Sequence, residues 1–116
     1  MRKTIKLGGH EYNISSSAYT QFKYKNDTGR KLMDDVNTIQ EYRKKEDGIL
    51  SVLDEFIEII LNITYVMIEE ANPTQVNSFD DFLKSTDNLF EDTDWVNDVM
   101  ECALAPISGG TKKNPQ

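Results

Sequence analysis

The sequence predicts a mainly α protein with a small N-terminal β-hairpin, an α+β class in which about five helices surround a long central apolar helix. Three observations predict it. Two short alternating runs flank Gly8-Gly9, the pattern of a hairpin with a tight turn. Residues Ile49 to Glu70, ILSVLDEFIEIILNITYVMIEE, run without glycine or proline and carry apolar residues at three-and-four spacing. Shorter segments on either side repeat the helical spacing between polar turns.

Taken in order, Arg2 to Leu7 alternates, with Lys3, Ile5 and Leu7 on one face and Thr4 and Lys6 on the other. His10 to Ile14 is its partner strand. An isolated hairpin is marginal in water, so it is expected to rest on helices, with its outer edge open to strand addition. Ser15-Ser16-Ser17 supplies N-caps for a first helix over Ala18 to Lys25, with Tyr19, Phe22 and Tyr24 facing the core. Asn26-Asp27-Thr28-Gly29 stops it. A second helix, Arg30 to Lys44, carries Leu32, Met33, Val36, Ile39 and Tyr42, and Lys44 to Gly48 is a polar turn.

The long helix follows. Its later part, Ile59 to Ile68, is apolar on nearly every side and broken only by Asn62 and Thr64. Such a helix must be covered all round, by its own domain or by a partner. It does not read as a membrane span, because Asp54, Glu55 and Glu58 would each sit in hydrocarbon at a cost of about 3 kcal/mol. Pro73 disfavours helix at Asn72. Ser78 caps a short helix, with Asp81 three residues on and Phe79, Phe82 and Leu83 on its apolar side. Asp87 to Asp94 is an acidic connector. A last helix runs from Thr93 to Ala105, ended by Pro106. Residues 1–107 thus form one domain, and 108–116 a mobile polar tail.

The single cysteine, Cys102, excludes an internal disulfide, and the basic N-terminus lacks a following apolar segment; both suit a reducing, cytoplasmic setting. The net charge of −7 is unevenly divided. Residues 1–45 carry a net of +5, and residues 46–111 a net of −14 with Lys84 as the only base. The acidic part disfavours nucleic acid, whose phosphates it would repel.

Little points to catalysis. His10 beside Glu11 has no nucleophile nearby in sequence, and Cys102 has no flanking Lys or Arg to lower its pKa. Asp80-Asp81 and Asp92/Asp94 fall at helix starts, where negative charge is favoured. No metal-ligand spacing, phosphate loop or cofactor motif occurs. The chain reads as a non-catalytic binding protein without cofactor or metal. The over-apolar helix and the aromatic residues of the acidic half, Ile63, Val66, Met67, Phe79, Phe82, Phe90 and Trp95, are the candidate partner contacts, suited to an amphipathic helix of basic or apolar character. The competing reading makes the same residues a self-contained core. Self-association into a homo-oligomer fits the open hairpin edge.

The layout resembles the tail assembly chaperones of long-tailed, siphovirus-type phages and prophages of Gram-positive bacteria. The resemblance spans residues 3–107. It is carried by Ile5-x-Leu7-Gly8-Gly9-x-x-Tyr12-x-Ile14, the aromatic helix with Tyr19, Phe22 and Tyr24, the Thr28-Gly29 turn, the central apolar helix and the segment from Trp95 to Glu101. It implies a non-catalytic chaperone that binds the helical tape measure protein, keeps it soluble and helps recruit tail tube subunits. It further implies a protein of the host cytoplasm that leaves before the virion is complete. Many such genes make a longer product by ribosomal frameshifting. Lys113-Asn114 can be encoded by the slippery heptamer A AAA AAC, which would make the tail a junction to that form and to its tail tube contact. Two other roles fit the residues: a structural or adaptor protein of the phage tail, and a small acidic inhibitor that mimics DNA.

Overall fold

The computed structural model describes residues 1–45 and 50–108. Among them, strands β1 (Arg2–Leu7) and β2 (His10–Ser15) precede helices α1 (Tyr19–Thr28), α2 (Leu32–Arg43), α3 (Leu53–Ala71), α4 (Phe79–Lys84) and α5 (Asp94–Ser108). A 3-10 turn, Leu50–Val52, leads into α3. The predicted α+β class is therefore the observed one. Ile49, the turn residues Glu46 to Gly48 and the expected tail beyond Ser108 lie outside the described residues.

The hairpin follows from its alternation. Ile5, Leu7, Tyr12 and Ile14 point inward and are buried, while Thr4, Lys6, Glu11 and Asn13 are exposed. The strands pair antiparallel, from Arg2 opposite Ser15 to Leu7 opposite His10. Gly8 and Gly9 close the turn at φ 60° and 84°, positive at both positions as a type I′ turn requires. Gly8 is constrained twice, because a Cβ there would stand 2.9 Å from the backbone oxygen of Asp87.

β2 lies along α3, and β1 along α5. Polar contacts fix this seating. Lys3 reaches Asp98 at 3.1 Å and Glu101 at 2.6 Å on α5. On the other edge, the Gln75 amide accepts from the Asn13 backbone N–H (2.8 Å) and donates to the Asn13 carbonyl (2.9 Å) and to the Ile68 carbonyl at the end of α3 (3.0 Å).

α3 is the spine. Phe56, Ile59, Ile60, Leu61, Ile63, Val66, Met67 and Ile68 are all buried, beneath β2, α1, α2 and α5. Buried Thr64 donates its hydroxyl to the Ile60 carbonyl at 2.7 Å, so the one polar residue at its centre is satisfied. The chain itself covers the apolar run from Ile59 to Ile68.

Three expectations are corrected. Of the three α1 aromatics only Tyr24 is buried; Tyr19 and Phe22 are 57% and 69% exposed. At about 100° per residue, Phe22 and Tyr24 are roughly 200° apart and cannot share a face. The core takes the stripe of Thr20 and Tyr24 instead. Leu83, expected on the apolar side of α4, is also exposed. Pro106 does not end α5, which continues to Ser108. Near a C-terminus the missing N–H removes one backbone bond of the last turn and no more.

The turn yields a comparison. Gly8→Ala is expected to lose about 2–3 kcal/mol, from its positive φ and the contact with Asp87, whereas Gly9→Ala, with open space around it, loses only about 1 kcal/mol. Urea midpoints at unchanged slope measure the difference; equal losses would mean that the turn does not press on the Asp87 backbone.

Candidate functional site: an apolar cleft between α1 and α2

α1 starts at a polar clamp and ends at a glycine. Ser17 Oγ accepts from the Tyr19 N–H (3.1 Å), and the hydroxyls of Ser17 and Thr20 donate to Glu70 at the end of α3 (2.7 and 2.6 Å). Gly29, at φ 75°, closes the helix by donating to the Lys25 carbonyl. The chain turns sharply and α2 begins at Leu32, whose side chain is buried.

The corner between the two helices is held by three residues. Tyr24 donates its hydroxyl to Asp35 Oδ2 (2.5 Å), and Arg30 donates through Nε (2.8 Å) and Nη2 (2.7 Å) to the two oxygens of the same carboxylate. Burial by itself raises the Asp35 pKa, but the bonds from Arg30 and Tyr24 and the guanidinium charge outweigh it and hold the carboxyl below its usual value. Burial, then the bond to Asp35, pushes the Tyr24 hydroxyl up.

This corner sets a cleft of about 280 Å³, lined by Phe22 and Lys25 from α1, by Lys31 before α2, and by Leu32, Met33 and Asp34 from α2. Tyr19, one turn before Phe22, extends the exposed apolar stripe. A second cleft of about 280 Å³ lies beside Asp27, Tyr65, Val66, Glu69 and Phe79.

The structure relocates most of the sequence-predicted contacts. Ile63, Val66, Met67, Phe82 and Trp95 are buried core residues. Phe82 sits against Tyr12 and Tyr65, with both ring centroids at 5.6 Å, and Trp95 donates its indole N–H to the Leu89 carbonyl. The hairpin's inner face has to be covered, and these side chains cover it. Phe79 is half-buried beside Tyr65, and it lines the second cleft with Val66. Phe90, 36% exposed, packs against Phe56. The more exposed aromatic pair, Tyr19 and Phe22, lies in the basic half.

The remaining candidates have structural settings. His10 is exposed at the hairpin end, 6.1 Å from the Tyr12 ring. Burial pushes the Cys102 thiol up, against any thiolate chemistry. Asp80 and Asp81 occupy the first turn of α4, where Ser78 Oγ accepts the Asp81 N–H, and Asp92 accepts the N–H of Asp94. Among the described residues no group of three His, Cys, Asp or Glu is placed to hold a metal ion, and no helix is long and apolar enough to cross a membrane. No family model, curated protein or solved structure matches this chain.

Core and surface aromatics should separate by mutation. Phe22→Ser is expected to change stability by no more than about 0.5 kcal/mol, and Phe82→Ala to cost about 3–5 kcal/mol. Comparable losses from both would contradict the exposed placement of Phe22. Asp35→Asn is expected to cost about 2 kcal/mol at neutral pH, below the figure for a fully buried pair because Arg30 is half exposed. Because the folded-state pKa of Asp35 is lowered, this advantage is fully present above the unfolded pKa of about 4 and fades as pH falls through the folded value. Denaturation series at neutral and acid pH check the sign.

Proposed function

We propose that the protein is a tail assembly chaperone of a long-tailed phage or prophage. In this reading it is a non-catalytic binder that holds the helical tape measure protein in soluble form in the host cytoplasm. It helps recruit tail tube subunits through a longer frameshifted form and is released before the virion is complete. The order of hairpin, aromatic helix, Thr28-Gly29 turn, apolar helix and late Trp95 segment supports this reading.

The observation that carries it is the pairing of a closed core with an open aromatic stripe. α3 is consumed as core, yet Tyr19 and Phe22 remain exposed beside a cleft between two helices. A large aromatic side chain gains about 1.5–3 kcal/mol on burial, so this stripe has binding energy to offer to a helical partner.

Co-expression with the large helical protein encoded downstream, followed by pull-down, tests the proposal. A soluble complex with several copies of this chain per partner is the expected result. A partner that stays insoluble, or this chain retained in purified virions, would argue instead for an adaptor or structural component of the tail.

A further inference from the structure

We propose that the α1–α2 cleft takes an amphipathic helix whose apolar stripe is flanked by acidic side chains. The inference rests on the reading of the chain as a binder of helical protein, and it names the chemistry of the bound segment and its seat.

Size and walls come first. At about 280 Å³ the cleft falls below the roughly 300–1,000 Å³ of small-molecule pockets, and it suits one or two inserted side chains of a larger partner. Its walls are two helices and the turn before the second, which present no strand edge along which an added strand could pair. Side chains at i, i+3 and i+4 on an incoming helix are the matching geometry. Phe22 is the exposed anchor, with buried Leu32 as floor and Met33 as adaptable wall.

Charge decides the flanks. The cleft is lined by two lysines and one carboxylate. Asp34 lies in the first turn of α2, where the helix dipole stabilises its charge. Lys25 and Lys31 form no ion pair among the described residues. By contrast Lys23 is held by Asp27 and Glu69, and Arg30 by Asp35. Asp34 forms no ion pair among the described residues either, so the free charges at the rim are two lysines and one carboxylate, a net positive charge on a chain that is −7 overall. A basic helix would meet two unpaired lysines here, at a cost in like-charge contact.

The test uses the full chain and two synthetic helical peptides with the same Leu/Phe stripe, one flanked by Glu and one by Lys. Amide shifts in the NMR spectrum of the labelled protein report the seat. The Glu-flanked peptide is expected to shift Tyr19, Phe22, Leu32 and Met33, to bind about tenfold more tightly than the Lys-flanked one, and to weaken with added salt. Lys25→Glu with Lys31→Glu should reverse the preference, and Phe22→Ser should abolish binding of both. Equal affinities, or shifts confined to the acidic half, would overturn the proposal. So would concentration-dependent self-association that the Lys→Glu pair removes, since the occupant is then a second copy. If the Glu-flanked peptide binds while co-expression with the tape measure protein gives no complex, the chaperone role falls and the cleft chemistry stands. If a tape measure complex forms and neither Phe22→Ser nor the Lys→Glu pair weakens it, the chaperone role stands and the cleft chemistry falls.

Discussion

The fold depends on covering the apolar run of α3, Ile59 to Ile68. A helix that is apolar around most of its circumference is stable in water only when each of its faces meets another element. Here β2, α1, α2 and α5 close around it, and Tyr42 adds a hydroxyl bond from α2 to Glu55 at 2.5 Å. The cover is made of short pieces, and none of them would hold its shape alone: a hairpin of six-residue strands, a ten-residue helix and a twelve-residue helix. Each gains its order from the spine it hides.

The polar contacts do a different job. Glu70 clamps the start of α1, Lys3 reaches α5, and Arg30 with Tyr24 converges on Asp35. The exposed pairs among them, such as Lys3 with Glu101, contribute little to stability, and buried Asp35 contributes more. Their shared effect is directional. They choose the angle at which apolar faces meet, and at the α1–α2 corner that angle leaves a groove beside Phe22. Charge follows the same division of the chain: the groove belongs to the basic first third, while the acids of the rest sit in helix starts and on solvated faces.

The legible parts of the sequence were those where one pattern had no rival. The Gly8-Gly9 turn between alternating runs specifies both register and conformation. The run from Ile59 to Ile68 is apolar on nearly every side, broken only by Asn62 and Thr64. Ser78 and Asp81 announce the start of α4. Where two patterns competed, the sequence was ambiguous. α1 carries aromatics on opposite sides within ten residues, and only the packing of Glu70 and Asp35 around Thr20 and Tyr24 decides which side goes in. The burial of most candidate contacts was hidden for a related reason. Phe82 and Trp95 look the same in sequence whether they greet a partner or fill the space beneath the hairpin, and that depends on where the hairpin lands. A signal for the α1–α2 cleft did exist: an exposed-aromatic spacing at Tyr19 and Phe22 set among lysines.

Gln75 has a consequence for the sheet. Its side-chain amide offers Asn13 one acceptor and one donor, as the peptide group of a neighbouring strand would. A single residue thus impersonates a third strand over one residue of β2, and it is itself anchored to the end of α3. The β2 edge of the two-stranded sheet is capped at Asn13 by its own chain. A strand added along β2 would first have to displace Gln75 from Asn13.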